Sequence, residues 1–208
     1  MESVVTRKYL LGGLAAALSF LLLACWALSG GSMPFDLWLR AAVHGWASPA
    51  LTRGMLAVTT LGSERFLLPL GAILVWRLWA TGRRRQAIWL PVAGLSAELF
   101  SQMLKLALHR PRPEVFFGLS PAETYSFPSG HAFVSTVIYG LLASILMAGE
   151  NSCRKRAGSA AITVLAALAI GFSRVYLGYH YPSDVLGGWA CAAAWLALAQ
   201  LKLVLVKK

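Results

Sequence analysis

The sequence predicts an all-α protein, a polytopic membrane bundle with six transmembrane helices. Three observations point there. Of the 208 residues, 58% are hydrophobic and 13% charged, against about 25% charged in a soluble domain. The apolar residues come in long blocks rather than short periodic stripes, and a membrane-spanning helix needs about 20 mostly apolar residues. The basic residues abut those blocks and do not interleave with aromatics along a stripe. The net charge of +11 therefore reads as the flanks of membrane helices, with no nucleic acid partner implied. Residues 1–208 read as a single integral membrane domain.

The expected spans, in order, are Tyr9–Leu28, Phe66–Ala80, Ala87–Leu108, Ala132–Ala148, Ala157–Tyr176 and Val185–Val206. The second is short, and Ala50–Leu61 either extends it or forms a separate interfacial helix. Between the first two, "MPFDLWLRAAVHGWASP" mixes Trp38, Trp46, Arg40 and His44 with apolar residues. It is expected to lie flat at the interface, where Trp is enriched. Arg7 and Lys8 before an apolar run resemble a signal peptide, and "LLAC" at Leu22–Cys25 a lipoprotein cleavage site. The run continues through Trp26 and is long enough to span, so an uncleaved first helix is expected. Cys25, Cys153 and Cys191 show no metal-ligand spacing and read as small hydrophobes.

Placing the N-terminus inside puts Arg83–Arg85, Arg154–Arg156 and Lys207–Lys208 inside with Arg7 and Lys8. These hold more than half of the 19 Lys and Arg residues, as the positive-inside rule asks. The loops His109–Gly130 and Tyr176–Asp184 then face outside, and they carry the chemistry.

The third span ends "AELFSQMLKLALHRPRP". Glu98, Ser101, Gln102 and Lys105 recur at helical spacing and share one face, which should turn inward because Lys in lipid is unfavourable. Pro111 and Pro113 end the helix and leave Arg110 and Arg112 at the membrane surface. Alone, this fits side chains snorkelling from a helix end. In "SFPSGHAF", Ser129 is placed to cap the fourth span, Gly130 permits close backbone approach, and His131 falls in the first turn. A helix N-terminus is an anion site, although one capped helix with one His is unremarkable by itself. In "SRVYLGYHYPSD", Arg174 closes the fifth span, His180 lies in the loop, and Asp184 opens the sixth. An Asp four residues from a His can bond one ring nitrogen and raise the basicity of the other, which prepares a nucleophile or a base.

Together these segments place three cations (Lys105, Arg112, Arg174), a helix N-terminus, two histidines and one carboxylate on one outer face. Cations and N–H groups suit a phosphate, and two histidines suit nucleophile and acid. No second acidic group stands by to hold a divalent metal. The implied reaction is metal-independent phosphoryl transfer without a cofactor.

Lys105 to Pro113 (K-x6-R-P), Pro128 to His131 (P-S-G-H) and Ser173 to Asp184 (S-R-x5-H-x3-D) together resemble the three-part signature of the type 2 phosphatidic acid phosphatase (PAP2) family. That superfamily also contains soluble vanadium haloperoxidases and bacterial acid phosphatases. The resemblance covers about half the chain, from the third to the sixth span, and implies a core like that of the haloperoxidases. It implies that His180 attacks phosphorus, Asp184 orients His180, and His131 protonates the leaving alcohol. Lys105, Arg112, Arg174, Ser129 and the Gly130 N–H would hold the phosphate oxygens. The spacing selects Arg112 over Arg110, and leaves the roles of Arg110 and His109 open.

A site at the outer surface implies a lipid phosphate substrate presented by the bilayer. By resemblance the candidates are undecaprenyl diphosphate, phosphatidylglycerol phosphate, phosphatidic acid and lipid A phosphates, in a bacterial cytoplasmic membrane with the site facing the periplasm or cell exterior. The loop Glu114–Phe127 either shapes lipid access or anchors the interface. Three other readings stay open. One is a lipid phosphotransferase using the same phosphohistidine, and another a transporter using the basic face without chemistry. The last is a vanadate-dependent peroxidase, which the apolar spans disfavour. The oligomeric state is not legible.

Overall fold

The computed structural model describes residues 2–29, 32–148 and 150–205, with side chains from 6 to 200 within those ranges. Among the described residues every regular element is a helix. They are α1 (Glu2–Leu28), α2 (Pro34–His44), α3 (Pro49–Thr60), α4 (Glu64–Ala80), α5 (Arg84–Leu108), α6 (Gly130–Leu146), α7 (Cys153–Tyr176) and α8 (Pro182–Leu205). Each of the six apolar blocks read from the sequence falls on a helix. Val206, Lys207 and Lys208 lie outside the described residues.

Length and apolarity mark α1 from Thr6, α5 and α7 as able to cross a membrane. The pair α3 and α4 makes a fourth if it counts as one span bent by 43°, and α6 is apolar but has only 17 residues. The expected six crossings therefore exceed what these criteria establish. The lipid-facing character is plain in the side chains. Trp76 is 72% exposed, Ile162 70% and Leu22 65%, an apolar surface that water would not tolerate. The chain is an integral membrane protein built on several apolar helices.

Local chemistry sets the ends. Ser48, Ser129 and Ser152 cap α3, α6 and α7, each accepting from a backbone N–H three residues on. Helix α5 stops where His109 turns left-handed at φ 48°, just before Pro111. Pro69 and Pro91 sit inside α4 and α5, as membrane helices permit. The stretch expected to lie flat at the interface forms α2, and the Ala50–Leu61 segment forms the separate helix α3. Helix α2 beds on α7 and α8 and presents Phe35, Leu37 and Trp38 outward. Helix α3 packs along α7 as a separate element. Between it and α4 lies Gly62, where a Cβ would stand 2.6 Å from Ile170 Cγ2 and 3.3 Å from the His131 ring.

Helix α6 is central, flanked by α5, α7 and α8, while α1 lies along α8. The main core joins Leu90, Ala93 and Ala97 of α5 to Phe133 and Val137 of α6 and Ala192 of α8, and Trp195 meets Phe133 edge-on at 5.9 Å. Lipid is as apolar as these side chains, so close packing of small residues must hold the helices together. Gly187 and Gly188 bring α8 onto the start of α6. A Cβ at 187 would lie 2.6 Å from the Phe127 ring, and one at 188 would lie 2.8 Å from the Ser129 carbonyl oxygen. Gly188→Ala is therefore expected to destabilise the protein by about 1–3 kcal/mol. Thermal unfolding in detergent checks this, and an unchanged midpoint would contradict the packing argument.

Candidate active site

The cluster forms at one end of the bundle, where α5, α6, α7 and α8 converge with the loops at 109–129 and 177–181. Ser129 ties two of these elements together, since its N–H donates to the Asp184 carbonyl at 3.0 Å and its Oγ accepts from Ala132 N at 3.4 Å. The first N–H groups of α6, at Gly130 and His131, have no hydrogen-bond partner among the described residues, as expected at a helix start. Lys105 Nζ and Ser101 Oγ approach Gly130 from α5. A Cβ there would stand 3.6 Å from the first and 3.5 Å from the second, so glycine keeps that space open. Ser101 Oγ is buried and has no partner among the described residues.

His180 is 2% exposed. Its Nδ1 lies 3.5 Å from Asp184 Oδ2 and 3.5 Å from Ser126 Oγ, long contacts to two acceptors. Its Nε2 lies 3.2 Å from Arg112 Nη1. A guanidinium only donates, so Nε2 must accept and the ring proton belongs on Nδ1. Burial, then the charges of Arg112, Arg174 and Lys105, hold the His180 imidazole well below its ordinary value. The ring is therefore neutral, with its lone pair on the side where the cations gather.

Arg112 is fixed by several bonds. Its Nη1 also donates to the Tyr179 carbonyl at 2.9 Å, its Nη2 to Thr124 Oγ1 at 2.9 Å, and its Nε to the Thr124 carbonyl. Arg174 donates to Thr59 Oγ1 of α3 at 2.9 Å and lies over the Tyr179 ring at 4.1 Å. Lys105 and Arg174 are both buried. Among the described residues neither they nor Arg112 form an ion pair with a carboxylate. His131 lies within Coulombic reach of Arg174, His180, Lys105 and Arg112, and its ring edge faces Gly62 of the α3–α4 bend. All eight residues singled out in the sequence (Lys105, Arg112, Ser129, Gly130, His131, Arg174, His180 and Asp184) thus occupy one region.

Sequence reasoning left other participants out. Arg110, whose role was left open, is buried and bridges Asp184 and Asp36. Asp36 on α2 is fully buried. Ser126 donates to Asp184 Oδ2, which also accepts from Tyr181 N at 2.8 Å. A signal existed for Asp36, because a lone carboxylate inside the apolar run "FDLWL" demands a partner. Glu98 accepts from Gln102 on its own helix and forms no salt bridge with Lys105. His109 packs edge-on against Tyr125 at 4.6 Å.

The PAP2 superfamily model matches residues 86–204, more than half of the chain. This chain belongs to the PAP2 superfamily. It is 32% identical over 143 residues to phosphatidylglycerophosphatase B of Bacillus subtilis, covering 68% of this chain and 70% of that protein. It is 31% identical over 157 residues to an undecaprenyl-diphosphatase of the same organism, covering 73% and 75%. The crystal structure of a transmembrane PAP2-type phosphatidylglycerolphosphate phosphatase from Bacillus subtilis superposes with a TM-score of 0.81 at 28% identity, over 94% of this chain and 96% of that one. By this homology the PAP2 chain is a membrane lipid phosphatase, a hydrolase.

Proposed function

We propose that this PAP2 phosphatase hydrolyses a lipid phosphate or diphosphate at the outer membrane face through a phosphohistidine on His180. Phosphatidylglycerol phosphate and undecaprenyl diphosphate are the favoured substrates, because relatives named for these lipids align over two thirds or more of the chain. Phosphatidic acid is the next lipid of the same chemistry. Six crossings, with the N-terminus inside, would set the site outside. In support, Arg83 Nη2 bonds the Ile145 carbonyl at the far end of α6, so the basic turn before α5 and the C-terminus of α6 share one end of the bundle. The catalytic cluster occupies the other.

The observation that carries the mechanism is the orientation of His180, with Nδ1 toward Asp184 and a bare Nε2 toward the cations. Lys105, Arg112 and Arg174 take the phosphate oxygens, with the Gly130 N–H and Ser129 Oγ beside them. Substrate must draw the Arg112 guanidinium from Nε2 onto an oxygen. The Nε2 lone pair then attacks phosphorus as the bond to the leaving oxygen breaks, and His131, entering the step as the imidazolium beside the bound anion, gives that oxygen its proton. Asp184 steadies the positive charge developing on the ring. Water next attacks the phosphohistidine, gives its proton to His131, and frees phosphate and a neutral His180.

Phosphate release by the purified protein in detergent, across a panel of lipid mono- and diphosphates, tests this reading. Release is expected to persist in EDTA. Because His180 is held well below the ordinary imidazole value, it stays unprotonated as pH falls through 6.5. The acid limb of kcat/KM, corrected for the ionisation of the substrate, is therefore expected below pH 6.5. Loss of activity in EDTA, or an acid limb at the free-imidazole value, would overturn the mechanism. Phosphate appearing on an acceptor other than water would redirect the assignment to a phosphotransferase.

A further inference from the structure

Asp36 takes no part in the chemistry above, yet both of its oxygens accept hydrogen bonds. Oδ1 accepts from Ser183 N at 2.8 Å, and Oδ2 accepts from Ser183 Oγ at 2.6 Å, Arg110 Nη2 at 2.9 Å and Met33 N at 3.1 Å. Ser183 is the neighbour of Asp184 in the first turn of α8. The interfacial helix α2 therefore supplies a buried anion to the start of the helix that carries Asp184. Arg110 completes the link. Its Nη1 donates to Ser183 Oγ at 2.8 Å and to Asp184 Oδ1, while its guanidinium lies over the Tyr181 ring at 4.5 Å. Buried ion networks rarely stabilise a fold more than apolar packing would. A network of this kind, one bond from the His180 partner, fixes geometry.

We propose that Asp36 is a positioning residue for the hydrolysis, setting the Asp184 carboxylate against His180 Nδ1 through Arg110 and the N-terminus of α8. The inference rests on the nucleophile reading of His180 given above. Arg110 is shared between two carboxylates, so Asp184 keeps negative charge to spare for the imidazole. With Asp36 made neutral, one of the two carboxylates that share Arg110 is lost, so the guanidinium pulls harder on Asp184 and draws it from Nδ1. The other charged or titratable groups facing His180 are Arg112, Arg174, Lys105 and His131, and Arg40 is a further charge near Asp36. None of these is an anion that could compensate.

The test compares wild type and Asp36→Asn, as full-length protein in detergent, hydrolysing undecaprenyl diphosphate and phosphatidylglycerol phosphate. Three quantities are read: kcat, competitive inhibition by inorganic phosphate, and the pH dependence of kcat/KM. The expected result is a kcat lower by about 10–100-fold, with phosphate inhibition unchanged because the three cations are untouched. The acid limb moves to lower pH, since removing a nearby anion disfavours imidazolium at His180. Asp36→Glu, which keeps the charge, is expected to hold the wild-type limb. A wild-type kcat and limb in Asp36→Asn would overturn the proposal. So would a parallel loss of kcat, phosphate inhibition and thermal stability, which marks a merely structural residue. Should Asp36→Asn not fold, Ser183→Ala removes the shared hydroxyl without changing charge. It is expected to lower kcat about three- to tenfold, and a wild-type kcat there overturns the proposal as well. Wild-type protein inactive on every lipid would remove the underlying reading, whereas active wild type beside an unaltered Asp36→Asn would remove this inference alone.

Discussion

His180→Ala is expected to slow phosphate release by at least about 10³-fold, the scale on which removing a nucleophile acts. The variant keeps Lys105, Arg112, Arg174 and the start of α6, so it should still bind inorganic phosphate. Binding without turnover separates loss of the attacking atom from loss of the site. Rapid acid-free quenching of wild type with a labelled lipid phosphate should trap label on His180, and the variant should trap none. Release by His180→Ala at a tenth of the wild-type rate or more would exclude the phosphohistidine and shift attention to direct attack by water. The expectation follows from one geometric fact. Nε2 carries no proton and faces the cations, because Arg112 can only donate to it at 3.2 Å.

His131→Ala is expected to lower hydrolysis of lipid monophosphates by about 10²–10⁴-fold, the usual contribution of a positioned acid. The loss should depend on the leaving group. An alkoxide leaving from a lipid monophosphate needs a proton, whereas p-nitrophenolate leaves without one. The same variant should therefore retain most of its activity on p-nitrophenyl phosphate. Undecaprenyl diphosphate, whose leaving group is itself a phosphate, should fall between the two. An equal loss on all three would mean that His131 acts through structure or binding, and the role of acid would pass to another group. His131 lies under the α3–α4 bend, where a Cβ at residue 62 would sit 3.3 Å from its Cδ2 and 2.6 Å from Ile170 Cγ2. The bend thus fixes how far the ring can move.

The helices and the cluster were legible because their causes are local. Long apolar runs declare spans. Ser129 before Gly130 and His131 declares a capped helix start, and a spacing of four brings His180 in the loop within reach of Asp184 in the first turn of α8. Pairings that depend on tertiary approach were not legible. Nothing near Arg110 in the chain announces Asp36, which lies 74 residues away. The role of Ser126 beside Asp184 depends on a loop folding back over the start of α8. The break between α3 and α4 was left open for a similar reason, since Ala50–Leu61 could equally extend the second span, and the neighbours that crowd Gly62, Ile170 and His131, are distant in sequence. The fourth expected span is not established by length, because α6 has 17 helical residues and its first turn already lies at the site.

The three cations around His180 have a further consequence for the unliganded protein. Lys105 and Arg174 are buried, Arg112 leans on a ring nitrogen, and among the described residues no carboxylate pairs with any of them. Their mutual repulsion is borne by the fold until an anion arrives. Occupancy then adds stability as well as reactivity, about 2.7 kcal/mol when the ligand stands at 100 times its dissociation constant. Proteases act on transiently opened chains, so a membrane rich in lipid phosphates would also prolong the lifetime of the enzyme that consumes them. As the lipid is exhausted, the empty enzyme would become the form most readily degraded.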